Sequence, residues 1–280
     1  MPNYTKVATD ARKKIIELIF RAQTSHIGSC LSAVDIMAVL FDKADIKKDE
    51  IILSAGWKAA AWYYFLWKKG VITEDELNSF CQEGSKFIGL VEPIEGRWGL
   101  KTGGGSMGMG ICFAVGFALS KKLKGEEGKV YVLMSDGELQ CGTTWESALI
   151  ARQLGLNNLT VIVDNNKYQA MGLTEEILDI GGNLEEHRHD DWGGLNHHFT
   201  SLGWLVAVCE GHDYKNISFS LDYYEDERKK DNHFWASAPK IIIAKTIKGK
   251  GVSKFEGNNL YHYKNLSEEE YNLALKELNE

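Results

Sequence analysis

Short apolar runs separated by amphipathic stretches recur along most of this 280-residue chain. Apolar runs of about five residues, bounded by polar or turn residues, are typical of buried parallel strands. Five segments have this character: Asp49–Leu53, Val130–Met134, Leu159–Val163, Trp204–Cys209 and Lys240–Lys245. The pattern therefore predicts an α/β fold, with a mainly parallel sheet and helices on both of its faces.

The intervals between these runs carry helical periodicity and helix start signals. Capping-box patterns, in which Ser or Thr precedes an acidic residue by three positions, occur at Ser32, Thr73 and Ser267. We therefore expect a helix to begin at each of these residues. Longer helices are predicted over Lys6–Ala22, Met107–Leu123, Thr144–Leu154 and Ser267–Leu278.

Two acidic and amide-rich turns follow neighbouring predicted strands and enclose one helix. Asp136-Gly137 follows the run VYVLM, and Asp164-Asn165-Asn166 follows the run LTVIV. A βαβ unit places both turns at the same edge of a parallel sheet, where open α/β sheets bind ligands. Aspartate and asparagine offer hard oxygen atoms there, which suit Mg²⁺. The alternative is that both are ordinary turn sequences, but their placement after two strands favours a metal site.

Net charge and cysteine usage narrow the function classes. The formal net charge is −7 and the pI is near 5.7, so we do not expect a nucleic-acid-binding protein that relies on phosphate attraction. The five scattered cysteines form no CxxC pair, so neither a zinc site nor a disulfide framework is indicated. No apolar run approaches the roughly 18 residues that span a bilayer, and the amino terminus lacks a secretory signal pattern. We expect a cytoplasmic protein without membrane association.

The spacing of the two turns resembles a known cofactor motif. Asp136-Gly137, 27 intervening residues and Asn165-Asn166 resemble the thiamine diphosphate motif that is usually written GDG and NN. The phrases SHIG (25–28), EGHD (210–213) and TIKGKGVS (246–253) resemble the transketolase family most closely. The resemblance implies the thiamine-diphosphate-binding fold, with residues 1–280 forming a single diphosphate-binding domain.

The resemblance also implies which residues hold the cofactor. By position in the motif, Asp136, Asn166 and the carbonyl of Tyr168 bind Mg²⁺, or Ca²⁺ or Mn²⁺ as a substitute, and the metal holds the diphosphate. The run GGGSMGMG (103–110) matches the family's STGSLGQG. The implied cofactor contacts are Gly105, Ser106, Met107, Asp136, Gly137, Glu146 and Asn166. A Rossmann reading of the glycines is weak because no strand precedes them; glycines that only permit close packing remain an alternative.

His26 and His262 are the candidate catalytic residues that the resemblance implies. Four positions depart from the family pattern. Trp57 and Glu92 stand where the family has active-site histidines, Ser135 stands at the first motif glycine, and Cys141 replaces a glutamate. A glutamate in place of a histidine would repel a phosphate group, so we expect a modified or non-phosphorylated sugar substrate.

The resemblance covers only the diphosphate-binding part of a transketolase. The pyrimidine-binding domain, whose glutamate activates the cofactor, and the C-terminal domain have no counterpart in this sequence. The hypothesis is therefore the amino-terminal subunit of a split transketolase, which transfers a two-carbon ketol unit from a ketose to an aldehyde. A separate chain would supply the glutamate, in a dimer of heterodimers that the family implies.

Two other functions stay open from the sequence. One is the α-subunit of a 2-oxoacid dehydrogenase or decarboxylase, and the other is a non-catalytic scaffold that binds the cofactor. The histidine-rich segment 187–198 lacks the ordered spacing of a helical zinc site, so we expect a solvated lid or an insertion there.

Overall fold

The computed structural model describes residues 2–180, 194–230 and 235–280, and in the second of these ranges it describes side chains only as far as residue 223. None of its described helices is long and apolar enough to cross a membrane.

A five-stranded parallel sheet forms the centre of the described fold, with the strand order β1-β2-β3-β7-β6. A separate two-stranded antiparallel ribbon pairs β4 with β5. The strands are β1 (Glu50–Leu53), β2 (Val130–Ser135), β3 (Leu159–Asn165), β4 (Tyr168–Gln169), β5 (Gly172–Leu173), β6 (Leu205–Glu210) and β7 (Lys240–Lys245). All five predicted apolar runs are strands of the main sheet, with ends that differ by at most two residues.

Helices cover both faces of the sheet, as predicted. They are α1 (Tyr4–Ala22), α2 (Ile27–Ser32), α3 (Val34–Lys43), α4 (Ala59–Lys68), α5 (Glu74–Asn78), α6 (Met109–Lys124), α7 (Gly142–Gln153), α8 (Thr174–Ile177), α9 (Leu195–Ser201), α10 (Tyr214–Lys230) and α11 (Glu268–Glu277). Helix α6 begins two residues later than predicted because Gly108 precedes it with a left-handed φ of 77°.

Alternate side chains of the strands enter two separate cores. Tyr131 and Leu133 of β2 pack with α1, α3 and α4 on one face, while Val132 and Met134 pack with α6 and α7 on the other. Burial on both faces explains why the strand sequences are continuously apolar rather than alternating.

Two of the three predicted capping boxes are confirmed, and one is wrong. Thr73 and Ser267 each cap a helix together with the glutamate three positions later. Ser32, by contrast, is the last residue of α2, and its hydroxyl donates to Asp164 Oδ2 at 2.6 Å. A buried polar group must find a partner, and the acceptors near the Ser32 hydroxyl are Asp164 and, at 3.1 Å, the carbonyl of Ser29, rather than a backbone N–H of a following helix.

Asp35, the expected partner of Ser32, instead connects distant elements. Its carboxylate accepts hydrogen bonds from Arg12 of α1, from His212 Nδ1 at 2.7 Å and from Tyr214 at 2.9 Å. His212 Nε2 in turn accepts the Ile247 N–H at 2.8 Å. The EGHD turn therefore fastens the loop after β7 to α1 and α3.

Candidate active site

The two acidic turns lie side by side at the carboxyl edge of the sheet. Strands β2 and β3 are paired with Ser135 opposite Asp164, so the residues after each strand emerge together. A single 3-10 turn (Asp136–Gln140) follows β2, and the backbone N–H of Lys167, just beyond β3, donates to Asp136 Oδ2 at 2.5 Å. The structure therefore brings the predicted Asp136 and Asn166 segments into direct contact.

Asp136 is a buried carboxylate without a cationic partner among the described residues. Its two oxygens accept the backbone N–H groups of Gly137, at 2.8 Å, and Lys167. Burial, with the nearby charge of Asp164, raises the pKa of Asp136 to about 7, although Lys58 and the two N–H donors oppose the shift. A buried carboxylate in this situation is stabilised by a bound cation.

Asn166 is oriented by an acceptor-only neighbour. Its Nδ2 lies 3.3 Å from Asp164 Oδ2, and its Oδ1 accepts the Tyr168 N–H at 3.0 Å. An ionised carboxylate can only accept, so the amide NH₂ faces Asp164 and Oδ1 remains available for a further contact.

Lys58 holds Asp164 in its ionised form. The Lys58 ammonium lies 2.6 Å from Asp164 Oδ2, both side chains are completely buried, and Ser32 and Thr246 also donate to the carboxylate. Burial alone would raise the pKa of Asp164, but the Lys58 charge and these hydrogen bonds lower it below the ordinary value. Asp164 is therefore a buried, ionised carboxylate whose charge is balanced by Lys58.

The donor set fits a small divalent cation. A carboxylate, an amide oxygen and the main-chain carbonyl of Tyr168 are hard oxygen ligands, and Mg²⁺ takes few of these from a protein and completes its shell with phosphates and water. Across the described ranges, no group of three or more His, Cys, Asp or Glu side chains is arranged to hold a metal ion. The ligation predicted for Asp136, Asn166 and Tyr168 stays a prediction.

The glycine-rich loop packs on the turn after β1. An added Cβ at Gly104 would lie 2.6 Å from Gly56 Cα, and one at Gly110 would lie 2.3 Å from Ser54 Cβ. Gly105, in contrast, is exposed and has no neighbour within 4 Å of that position. Close packing therefore explains Gly104 and Gly110, while the predicted contacts Gly105, Ser106 and Met107 form an exposed loop apex that leaves room for a ligand.

Glu138 joins this loop to the turn after β2. The buried carboxylate accepts the Gly108 N–H at 3.0 Å, the Ser135 N–H at 2.9 Å and the Ser54 hydroxyl. Met107 also reaches over the turn, since its Cε would lie 3.6 Å from a Cβ built on Gly137. The turn after β2 and the glycine-rich loop consequently form one connected surface.

The two altered histidine positions lie on another hydrogen-bonded junction with this loop. The N–H of Val91, which precedes Glu92, donates to Gly56 O at 3.2 Å, and the Gly104 N–H donates to Val91 O at 2.9 Å. Gly56 precedes Trp57, which is half-buried, whereas Glu92 is exposed. Trp57 and Glu92 therefore both border the glycine-rich loop.

His26 and His262 are in contact with each other. Their ring centroids are 5.0 Å apart in an edge-to-face arrangement, and the backbone N–H of His26 donates to His262 O at 2.9 Å. His26 adopts a left-handed φ of 73° at the start of α2, a conformation that residues other than glycine seldom take. Burial and nearby lysine charges lower the pKa of His26 to about 4 and that of His262 to about 3.

Some predicted residues do not join this cluster. Glu146 lies on the exposed side of α7, and its cofactor contact stays a prediction. Burial raises the pKa of the Cys141 thiol, so this cysteine is not an activated nucleophile. His187 and His189 lie outside the described residues, while His198, on α9, has its Nε2 2.7 Å from Ile180 O.

Sequence reasoning missed several polar residues at the centre of the site. Lys58 stands in an apolar run, AGWKAAAWYYFLW, with no local partner to reveal it. The spacing of Ser135 and Glu138 is a capping-box signal that could have drawn attention to Glu138. Lys248 stands within the TIKGKGVS phrase, which gives no local sign that its ammonium group is buried.

The family model of the transketolase thiamine diphosphate binding domain matches residues 4–279. An apulose-4-phosphate transketolase subunit of Phocaeicola vulgatus is 32% identical over 278 residues, covering 96% of this chain and 91% of that protein. The 6-deoxy-6-sulfo-D-fructose transketolase subunit of a Clostridium species is 29% identical over 276 residues, covering 95% and 93%.

Solved transketolases share the fold. The Leishmania mexicana enzyme superposes with a TM-score of 0.82 at 24% identity, and the Campylobacter jejuni enzyme with 0.78 at 23%. Each match covers the whole of this chain but only 42% and 43% of the respective enzyme. The likeness confirms the predicted fold class.

Proposed function

Because this chain belongs to the transketolase family, whose thiamine diphosphate-binding domain it matches from residue 4 to residue 279, we propose that it is the amino-terminal subunit of a two-component transketolase. The activity is the transfer of a two-carbon ketol unit from a ketose to an aldehyde. Thiamine diphosphate, when bound, supplies the carbanion chemistry for this transfer, and the protein binds, orients and polarises the reactants.

One observation carries this proposal: the segments after β2 and β3 are joined where the Lys167 N–H, next to Asn166, donates to Asp136, and the buried Asp136 carboxylate lacks a described cationic partner. Asp136, Asn166 Oδ1 and the Tyr168 carbonyl would hold Mg²⁺, with Ca²⁺ or Mn²⁺ as substitutes. The exposed apex Gly105–Met107 would lie against the cofactor, where the absence of a side chain at Gly105 permits close approach of the backbone.

The histidine pair would serve the substrate. Both rings remain neutral at ordinary pH because their pKa values are lowered to about 4 and about 3. A neutral imidazole can donate from one nitrogen and accept at the other. Since Nδ1 of His26 lies 2.8 Å from the Ser25 hydroxyl and Nδ1 of His262 lies 2.9 Å from Lys248 Nζ, the Nε2 atoms would face the hydroxyl and carbonyl groups of a ketose. We assign His26 and His262 to orienting and polarising the sugar.

The ketose donor would differ from the common sugar phosphates in the part that lies near Trp57 and Glu92. Indole can donate one hydrogen bond but cannot accept or exchange a proton, and a carboxylate repels phosphate. Trp57 and Glu92 each follow a residue whose backbone joins the junction with the glycine-rich loop, so the change affects one region of the site. A modified or non-phosphorylated ketose fits this region. The relatives named for apulose-4-phosphate and for a sulfonated fructose support a modified sugar.

A separate chain would complete the site. Two relatives of nearly the same length are named as subunits of an apulose-4-phosphate transketolase, and this chain spans about two-fifths of the solved transketolases it matches. The partner would carry the catalytic glutamate and the C-terminal domain, and the assembly would be a dimer of heterodimers. We also propose a cytoplasmic location, where the five free cysteines stay reduced.

The test is reconstitution with a candidate partner, the product of an adjacent reading frame. The co-purified complex receives thiamine diphosphate, Mg²⁺ and a panel of phosphorylated, sulfonated and unmodified ketoses, and ketol transfer to an aldehyde is measured. We expect transfer that needs both chains. Asp136→Ala and Asn166→Ala should each abolish it, while Asp10→Ala on the surface of α1 should not.

Other outcomes would replace the proposal. Turnover of 2-oxoacids alone would identify a dehydrogenase or decarboxylase subunit. Cofactor binding without turnover of either substrate class would identify a scaffold. Absence of thiamine diphosphate binding in every pairing would overturn the metal and cofactor assignment itself.

A further inference from the structure

Lys248 is a completely buried lysine beside the histidine pair. It lies in the loop after β7, where the Gly249 N–H donates to Gly28 O at 2.9 Å and the Gly257 N–H donates to Lys248 O at 2.9 Å. A Cβ built on Gly28 would lie 3.1 Å from Lys248 Cγ. The glycine of the SHIG phrase therefore leaves space for the Lys248 side chain. Two of the family-like phrases thus combine to direct one ammonium group inward.

The ammonium group donates to neutral acceptors. Lys248 Nζ lies 2.9 Å from Asn259 Oδ1 and 2.9 Å from His262 Nδ1, and it stands 5.5 Å from the centre of the Tyr168 ring. Within the described part of the chain, no carboxylate forms an ion pair with it. Burying an ammonium group is costly, so an arrangement without a carboxylate indicates a role beyond stability.

While Lys248 is an ammonium group, its contact with His262 has one consistent protonation pattern. An ammonium group has three donors and no acceptor, so His262 Nδ1 must be the acceptor and cannot carry a proton. A neutral imidazole then carries its proton on Nε2. If His262 were doubly protonated, its Nδ1–H would face an N–H of the Lys248 ammonium group, so this contact also disfavours the imidazolium form.

His26 is not constrained in this way. Its Nδ1 lies 2.8 Å from the Ser25 hydroxyl, and a hydroxyl can either donate or accept. The two rings in contact therefore differ. Nδ1 of His262 can only accept a hydrogen bond from Lys248, whereas Nδ1 of His26 can either donate to or accept from the Ser25 hydroxyl.

We propose that Lys248 is a positioning residue that fixes His262 as the Nε2–H tautomer, so that His262 serves the site only as a hydrogen-bond donor. His26 is left as the histidine that can exchange donor and acceptor roles. This inference rests on the proposed function for its catalytic meaning, but the tautomer itself is a property of the free chain.

The first experiment measures the tautomer directly. The full chain is labelled with ¹⁵N-histidine, and long-range ¹H–¹⁵N spectra are recorded near pH 7, with His262→Asn used to assign the signal. We expect His262 to show an unprotonated Nδ1 and a protonated Nε2. A protonated Nδ1 in the wild-type chain would overturn the proposal without the need for any further variant.

The second experiment removes the ammonium group. In Lys248→Met the uniform Nε2–H signal of His262 should give way to a mixture of tautomers. The control is Lys121→Met. Lys121 lies on α6 away from the histidines, is also buried, and donates to Lys48 O at 2.7 Å. The His262 signal of this variant should be the same as in the wild type. If Lys248→Met retains the other histidine signals and a pure Nε2–H form of His262, Lys248 does not set the tautomer.

A kinetic measurement separates this inference from the proposed function. In the reconstituted complex, Lys248→Met should lower kcat/KM for ketol transfer roughly tenfold, the effect of one misdirected hydrogen bond. Ketol transfer at the wild-type rate in a variant with a mixed tautomer would refute the positioning role. A complex that transfers no ketol unit while His262 shows the expected tautomer would refute only the proposed function.

Discussion

At the scale of single residues, Lys58 and Asp164 form the electrostatic centre of the site. Both are completely buried and 2.6 Å apart, and Asp164 orients the amide of Asn166. A buried ion pair contributes little net stability, but the loss of one member leaves an uncompensated charge. The pair is thus best understood as holding one arrangement of the proposed metal ligand.

Lys58→Met should lower the free energy of unfolding by about 3–5 kcal/mol, because it leaves the Asp164 carboxylate buried without its cation. Urea denaturation of the full chain measures the change. The double variant Lys58→Met/Asp164→Asn should recover part of the loss, since the buried charge is then removed as well.

The matched control for this experiment is Lys101→Met. Lys101 pairs with Glu50 at 2.5 Å, but its side chain is 42% exposed, so its loss should cost less than about 1 kcal/mol. Equal costs for the Lys58 and Lys101 variants would contradict the central position of Lys58.

At the scale of elements, neighbouring glycines of the glycine-rich loop have different roles, one in packing and the other in leaving space for a ligand. Gly104 packs against the turn after β1, whereas Gly105 stands at an open apex. The loop is therefore anchored at one glycine and available for a ligand at the next.

Gly104→Ala should destabilise the chain by about 1–3 kcal/mol, because the new Cβ would lie 2.6 Å from Gly56 Cα and 2.7 Å from Leu53 O. Gly105→Ala should leave the unfolding free energy unchanged but weaken thiamine diphosphate binding, since its Cβ would meet only the ligand. Denaturation and cofactor titration of both variants check the division. Unaltered cofactor binding in Gly105→Ala would exclude that residue from the cofactor site.

At the scale of the whole molecule, the carboxyl-terminal helix is tied to the active-site edge. Glu270 of α11 accepts hydrogen bonds from Tyr261 and Lys264, which flank His262. Burial alone would raise the pKa of Glu270, but hydrogen bonds from Lys264, the Ser267 N–H, Tyr261 and Lys254 outweigh it and lower the pKa to about 2. The end of the chain therefore supports the segment that carries His262.

The stability that Glu270 contributes should depend on pH. Since its pKa is lower in the folded than in the unfolded chain, the contribution is complete above about pH 4.5 and is lost as the pH falls towards about 2. Glu270→Gln should cost about 2 kcal/mol at pH 7, with a smaller difference from the wild type as the pH falls below 4.5. Urea unfolding at several pH values measures this.

The exposed neighbour Glu269 provides the control. Glu269→Gln should change stability little at any of these pH values. A Glu270→Gln difference that stays constant from pH 7 to below the ordinary glutamate range would show that its carboxylate is not selectively stabilised in the folded chain.

The sequence by itself determined the sheet and the residues at its edge. Apolar runs buried on both faces have a strong signal, and residues that directly follow two such strands meet wherever the strands are parallel neighbours. Asp136 and Asn166 could be selected for this reason, and the helix starts at Thr73 and Ser267 were correct because a capping box is satisfied locally.

Only the tertiary structure decided which polar residues surround that edge. Lys58 and Asp164 are 106 positions apart in the chain. Ser32 does not cap a helix as predicted, and its hydroxyl donates instead to the neighbouring Asp164. The polarity of His262 depends in the same way on an ammonium group that reaches it past Gly28. Local patterns encode local hydrogen bonds, whereas a buried charge is placed by whichever partners the folded chain brings within contact of it.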